Sequence, residues 1–404
     1  MANILGINLS ELSLKETKKE IEKILDGRTA RYVVTPNPEI ILASHKDEEL
    51  FYILNKADIS LADGFGLKIA GLVLGEKIHR ITGADITPHL LELAREKKLK
   101  VAILNWRGGL SRQEEIKDIL EEKYSNINLL VIDIDRSEAL DRETVDRLNI
   151  FKADILLNTL GSPYQEKSIY HNLSRLEGLK LAIGVGGSID FITKKAIRAP
   201  RFMRYIGLEW LWRLLRQPKR IGRIYRATWV FFSKVITAKF INPLRWRSNV
   251  ACLLYKREGE KIKILMVERE DEVGHWQMPQ GGTDGESVKK AGQRELSEEL
   301  GTDRFIYKAS FKKVYKYNFL DKKERKAKEV DGFVRPPKMY KFDFKGQKQS
   351  LYIAKFIGQD SDIEIQFWDH SSYKWVEMDE VLDVIHPVRR EAMEIFLNKF
   401  KSII

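Results

Sequence analysis

The sequence predicts an α/β domain built on a largely parallel sheet, then a basic helical appendage, then a separate α+β domain. Three observations predict it. Six short apolar runs alternate with amphipathic helical stretches over residues 1–197. A dense block of cations and aromatics occupies 198–240. From residue 249 two long apolar runs in quick succession replace the alternation. Alternation of strand and helix signals a parallel sheet, while successive long strands signal an antiparallel pair. At 404 residues the chain exceeds one ordinary core. The boundaries expected are 1–197, 198–240, a linker over 241–248, and 249–404.

The expected strands are 31–36, 57–63, 100–105, 127–135, 153–161 and 179–187, each a short apolar run of the length a buried strand needs. Helices are expected over 13–25 and 112–124, where apolar residues recur at helical spacing among charges. In such sheets ligands sit beyond the carboxyl ends of the strands, and several polar or glycine-rich clusters fall there. In the second domain NVACLLYK and KIKILMVERE read as an antiparallel pair, with one strong helix further on. The charged run 321–332 reads as a solvated loop.

Composition narrows the classes. The one cysteine, Cys252, allows neither a disulfide framework nor a cysteine-rich metal site and fits a reducing compartment. The first residues lack a basic start followed by an apolar core, so no signal peptide is expected. No apolar stretch of about 18 residues exists to span a bilayer. Of the net charge of +12, residues 201–240 carry +9, with ten Lys/Arg against Glu209. Arg213, Arg216, Arg220, Arg223 and Arg226 recur at steps of three and four, interrupted by Pro218, so two helical pieces are expected. Trp210, Trp212, Trp229, Phe231 and Phe232 are interleaved with them. Cations beside aromatics describe a helix lying on an anionic membrane surface. RNA binding and plain packing are the other readings of the same pattern.

The sharpest local signal is GGTDGESVKKAGQRELSEELGT at 281–302. Glu295, Glu298 and Glu299 stand at i, i+3 and i+4, which puts three carboxylates on one helix face. Hard oxygen donors gathered this way suit Mg²⁺ or Mn²⁺. Glu286 and Arg294 are placed to pair across the preceding turn. The segment resembles the Nudix box, G-x5-E-x7-R-E-U-x-E-E-x-G-U, and matches it from Glu286 to Gly301, with Gly281 and Gly282 at its start. The loop from Gly281 to Glu286 is one residue short of the pattern, and Thr302 replaces the final aliphatic residue. The flanking segments Trp276–Gln280 and Lys345–Gln349 resemble the branch that cleaves dinucleoside polyphosphates and the 5′ triphosphate end of RNA. That resemblance implies a further metal-binding acid six residues before Trp375-Val376, where this chain has Asp369. It also implies metal-assisted hydrolysis of a phosphoanhydride in a nucleoside polyphosphate or an RNA 5′ end.

In the first domain the clusters are Thr35-Pro36-Asn37-Pro38-Glu39, Leu61-Ala62-Asp63-Gly64-Phe65-Gly66, Arg80-Ile81-Thr82-Gly83-Ala84-Asp85, Gly161–Glu166 and Gly184–Gly187. Together they offer an acid, amide and hydroxyl groups, an arginine and glycine turns for a phosphate-bearing ligand. In this order they resemble the WecG/TagA/CpsF family of glycosyltransferases over about residues 1–235. The resemblance implies a Rossmann-like fold and inverting, metal-free transfer of N-acetylmannosamine or a related hexosamine. The donor is a UDP-sugar and the acceptor a polyprenyl-diphosphate-linked sugar. It implies Asp63 as the catalytic base, with Thr35, Asn37, Arg80, Asp85, Gln165 and Gly186 binding substrates. It also implies that the appendage docks at the membrane and closes over the site, where Arg213, Arg216 and Arg220 could grip the lipid diphosphate. Asn105-Trp106-Arg107-Gly108-Gly109 stands where the family has a more glycine-rich nucleotide turn. The whole chain then reads as a bifunctional enzyme, peripheral at the inner face of the plasma membrane and able to form homo-oligomers. A transferase with a nucleotide-sensing Nudix module and an RNA-binding pyrophosphohydrolase are the alternatives.

Overall fold

A computed structural model describes residues 1–216, 221–270, 272–318, 344–365 and 370–404, with Arg201, Arg213 and Arg216 described in backbone only. Arg220, Asp369, Pro218 and the run 321–332 lie outside the described residues, as do the side chains of Arg213 and Arg216. The described chain divides into two compact units, Met1–Lys239 and Phe240–Ile404.

The first unit opens with a hairpin, β1 (Ala2–Ile4) and β2 (Ile7–Leu9). There follow α1 (Leu14–Asp26), β3 (Arg31–Val34), α2 (Pro38–Ser44), α3 (Glu48–Lys56), β4 (Ile59–Ser60), α4 (Phe65–Leu74) and α5 (Gly83–Lys97). The domain continues through β5 (Lys100–Trp106), α6 (Gln113–Lys123), β6 (Asn128–Ile134), α7 (Arg142–Phe151), β7 (Ile155–Asn158), α8 (Tyr164–Asn172), β8 (Leu181–Gly184) and α9 (Ser188–Ile192). All six expected strands are present, and they form one sheet in the order β4-β3-β8-β7-β5-β6 with every pairing parallel. The first expected helix starts where Ser13 and Glu16 form a capping box. Ile86, Leu90, Ile116 and Leu120 from α5 and α6 share one core with Val101, Ile103, Ile155 and Leu181 of the sheet. A wholly parallel sheet sends all six carboxyl ends to one edge, and that edge carries the polar clusters.

The described parts of the basic stretch are α10 (Arg201–Tyr205), α11 (Glu209–Arg216), and a continuously helical run from α12 (Ile221–Tyr225) through a π-helical turn over Arg226–Val230 into α13 (Phe231–Ile236). A break the sequence did not announce falls at Gly207, with φ +81, where any β-carbon would collide with the Phe65 ring. Only glycine lets the backbone lie on that ring and turn there. Phe231, expected among the interfacial aromatics, is instead fully buried. It anchors the appendage, and the outward aromatics include Phe202, Tyr205, Trp210, Tyr225 and Trp229. No described helix is long and apolar enough to cross a membrane.

The second unit is a mixed sheet. β9 (Trp246–Glu258), β10 (Lys261–Arg269), β11 (Trp276–Gln277), β12 (Gln280–Gly282), β13 (Phe305–Asn318), β14 (Gly346–Phe356) and β15 (His370–Glu377) are joined by antiparallel pairings, except that β9 and β14 run parallel. The expected pair appears as β9 and β10. Residues 246–248, expected as linker, are already strand, because Trp246, Arg247 and Ser248 pair with Gly346, Gln347 and Lys348. The Trp246 ring also carries the Lys316 ammonium 4.1 Å from its centroid. Side chains of β9 alternate between two cores. Val250, Cys252 and Leu254 face α14 (Val288–Leu300), while Ala251, Leu253 and Tyr255 face the closing helix Arg390–Lys401.

Candidate active sites

At the carboxyl edge of the parallel sheet lies a cleft of about 800 Å³. Thr35, one residue beyond β3, spans to the next strand by donating its hydroxyl to Gly184 O at 3.1 Å. Asn37 caps α2, its side-chain oxygen accepting from Glu39 N at 2.9 Å and Ile40 N at 3.0 Å. Asp63 follows β4 and is fixed by its own N–H donating to Pro36 O at 2.8 Å. Gln165 accepts from Gly186 N at 3.1 Å and donates to Glu166 at 2.8 Å. Burial pushes the Glu166 carboxyl up, against the pull of the Gln165 bond. Thr35, Asn37, Asp63, Gln165 and Gly186 therefore share one cleft.

A second hollow of about 270 Å³ meets the first at Asn37, Glu39, Asp63 and Arg223, which line both. Its walls include Phe65, Ile69, Trp210 and Phe232. Arg80 lines this smaller hollow rather than the cleft, and its guanidinium donates to Glu209 of α11 at 2.7 Å. Arg223 of α12 grips Glu39 with both Nε and an Nη, at 2.9–3.1 Å. The appendage is thus tied across the mouth by two Arg–Glu pairs. Asp85, expected to bind substrate, is not among the residues lining either space. Its carboxylate completes the cap of α5, accepting from Thr82 N at 3.1 Å and Thr82 Oγ1 at 2.7 Å, and pairs with Arg198 at 2.7 Å. Burial would raise its pKa, but Thr82 and Arg198 outweigh it and hold the carboxyl below its usual range.

In the second unit, α14 begins at the Ser287 cap and ends at Gly301 in the left-handed region. Glu286 and Arg294 pair at 3.0 Å as the spacing predicts. The sequence missed the rest of Arg294's role: its guanidinium also reaches Glu295 at 2.9 Å, Glu298 at 3.0 Å and Gly282 O at 2.9 Å. Glu295 and Glu299 are buried, Glu299 being only 1% exposed. A β-carbon on Gly281 would collide with the Glu295 carboxylate, so any side chain there would push that carboxylate from its place. Gln280 N donates to Glu299 at 3.1 Å, and its side chain links Gln277 to Gln349, so the two flanking segments meet beside the helix.

Four carboxylates, Glu286, Glu295, Glu298 and Glu299, surround this end of α14 with Arg294 among them. Lys290 adds a second cation on Glu286 at 3.3 Å and His370 stands 3.8 Å from Glu299, while the buried oxygens of Glu295 and Glu299 are hard donors of the kind a divalent cation takes. Among the described residues, the tightest His/Asp/Glu grouping is elsewhere, at Glu272, His275 and His386. There the two imidazoles lie parallel, 2° apart with centroids at 3.9 Å. An ion bound in the plane of one ring would stand well out of the plane of the other, so this stacked pair is a poor metal site.

Residues 2–244 match the family model described as Glycosyl transferase WecG/TagA/CpsF family. The chain belongs to this family. Residues 245–396 match the NUDIX domain model. Two curated relatives of the WecG/TagA/CpsF chain, from Staphylococcus aureus strains MRSA252 and MW2, are each 28% identical over 244 residues, 59% of this chain and 92% of the relative. Both are called N-acetylglucosaminyldiphosphoundecaprenol N-acetyl-beta-D-mannosaminyltransferase. Among solved structures, a C. elegans Ap4A hydrolase binary complex is 16% identical, covering 39% of this chain and 98% of that one at a TM-score of 0.28. The NUDIX domain of Shewanella oneidensis NrtR complexed with ADP ribose is 18% identical, covering 39% and 89% at 0.27.

This WecG/TagA/CpsF chain has further cleft residues to which sequence reasoning assigned no individual role. Trp106 lies under the Arg136 guanidinium, 3.6 Å from the ring centroid, and both line the cleft. Asn105 also lines the cleft, but it is buried and its amide donates to Asp133 at 2.7 Å and Ser111 O at 2.9 Å. Glu39 stands inside a quoted motif and Arg223 inside the arginine series, but their pairing spans 184 residues and leaves no local signal.

Proposed function

We propose that the first unit transfers N-acetylmannosamine, or a related hexosamine, from a UDP-sugar to a polyprenyl-diphosphate-linked N-acetylglucosamine, with inversion. The observation that carries this is the position of Asp63 at the meeting of two spaces, a large cleft and a smaller apolar-walled hollow. The donor occupies the cleft and the acceptor sugar enters through the hollow. Asp63 takes the proton of the attacking hydroxyl as that oxygen bonds to the anomeric carbon, and the bond to the UDP oxygen breaks on the opposite face. Gln165 and Gly186 orient the donor, and Arg80 and Arg223 meet the acceptor's diphosphate. The exposed aromatics and cations of the appendage hold this unit on an anionic leaflet at the inner face of the membrane. The relatives' printed name supports the substrate pair.

The second unit hydrolyses a phosphoanhydride of a nucleoside polyphosphate. Glu295, Glu298 and Glu299 would hold Mg²⁺ or Mn²⁺, which supplies charge neutralisation at the diphosphate and a more acidic water. Arg294 keeps Glu295 and Glu298 on one side, Gln280 N holds Glu299, and Gly281 gives Glu295 its room.

The test is incubation of the full chain with UDP-sugars, polyprenyl-diphosphate sugars and nucleoside polyphosphates, with and without EDTA. Sugar transfer that persists in EDTA, together with cleavage that stops, is the expected result. No sugar transfer with any pair, or transfer unaffected by Asp63→Asn, would overturn the first assignment. Nucleotide binding with no metal-dependent product would make the second unit a sensor.

A further inference from the structure

A third hollow, of about 300 Å³, lies on the far side of Phe65, Arg80 and Arg204, which it shares with the smaller hollow leading to Asp63. That volume stands at the lower end of small-molecule sites. Its other polar walls are Lys68 of α4 and His79, and no carboxylate lines it among the described residues. Arg80 has its charge answered by Glu209. Lys68 and His79 have no ion pair among the described residues. Glu16, an acid close enough to feel His79, is committed to the Ser13 hydroxyl and N–H at 2.6 and 2.8 Å.

The remaining walls are apolar: Leu14, Ile78 and Tyr205 join Phe65. Tyr205 is 87% exposed, and Phe202, three residues earlier on α10 and so on the same side, is exposed too. A free phosphate ion gains nothing from such a rim. A phosphate carried on glycerol and acyl chains gains from both the cations and the apolar edge.

We propose that this hollow binds the phosphate of an acidic phospholipid headgroup, with Lys68 and His79 as its unspent polar donors. The proposal rests on the membrane-docking part of the function proposed above and names the lipid chemistry it uses. A headgroup seated here sets the bilayer surface against the wall through which the acceptor reaches Asp63.

The experiment is co-sedimentation of the full chain with phosphatidylcholine vesicles, with and without phosphatidylglycerol. The wild type is compared with Lys68→Ala/His79→Ala and with Lys117→Ala on α6 as a control for lost charge. The double variant is expected to bind phosphatidylglycerol vesicles at least about fivefold more weakly, since each cation near an anionic leaflet contributes about 1 kcal/mol. Lys117→Ala is expected to bind as wild type does. Unchanged melting and unchanged sugar transfer to a water-soluble acceptor accompany the result, and Lys68→Arg with His79 kept retains binding. If both variants weaken equally, or neither does, this hollow is not the site while membrane docking stands. If the wild type ignores phosphatidylglycerol, docking itself fails.

Discussion

Single atoms decide most at Asp63 and at Gly281. Asp63→Asn keeps the size of the side chain but cannot take a proton. Transfer is expected to fall by about 100-fold or more, while UDP binding measured by calorimetry stays within a few-fold. Gly281→Ala puts a methyl group into the Glu295 carboxylate. Metal-dependent phosphoanhydride cleavage is expected to drop as far as in Glu298→Gln or Glu299→Gln, with sugar transfer by the same molecule unchanged. The glutamate face was legible because i, i+3 and i+4 fix a helix side whatever the tertiary structure. Asp85 was not, because its partner Arg198 is 113 residues away and no local pattern announces it. The same holds for Arg223 and Glu39. Phe231 looked interfacial beside Trp229, yet neighbours on a helix point different ways: one is fully buried and the other 74% exposed.

At the level of elements, caps and inter-helix charges set the stability of the transferase edge. Asn37→Ala leaves Glu39 N and Ile40 N without their partner and should cost about 1 kcal/mol, a loss of a few degrees in Tm. Between α3 and α8, Glu49 accepts from His171 at 2.6 Å and from Lys167 at 2.8 Å. The His171 bond, helped by Lys167 and opposed by burial, brings the Glu49 pKa down to about 2, and Glu49 in turn raises that of His171. The lowered acid stabilises the fold above its ordinary value of 4.5 and loses this as pH falls towards 2. The raised histidine stabilises below its ordinary 6.5 and loses this as pH rises through its folded value. Melting of the first unit should therefore be highest between those two ordinary values, and Glu49→Gln should flatten both limbs. Strands and long helices were legible because apolar runs and 3.6-residue spacing are local. The break between α10 and α11 was not, because Gly207 turns there to lie on Phe65, a ring 142 positions earlier that only the folded chain brings close.

For the whole chain, the two chemistries are separable by what each requires. EDTA should abolish phosphoanhydride cleavage and spare sugar transfer, read in one reaction mixture by phosphate release and lipid-linked product. The two-part organisation was legible because the pattern of apolar runs changes once, and the change coincides with the end of the basic stretch. Where the second part starts was harder to see. INPLRWRSN has the composition of a tether, but its last four residues already belong to β9, which is held on one side by β14 and on the other by β10 and β12. A fragment cut at Asn249 would strip Gly346, Gln347 and Lys348 of their partners along that side, in the middle of the sheet. Such a piece should be recovered as aggregate, whereas one beginning at Phe240 should be recovered soluble, with α14 intact.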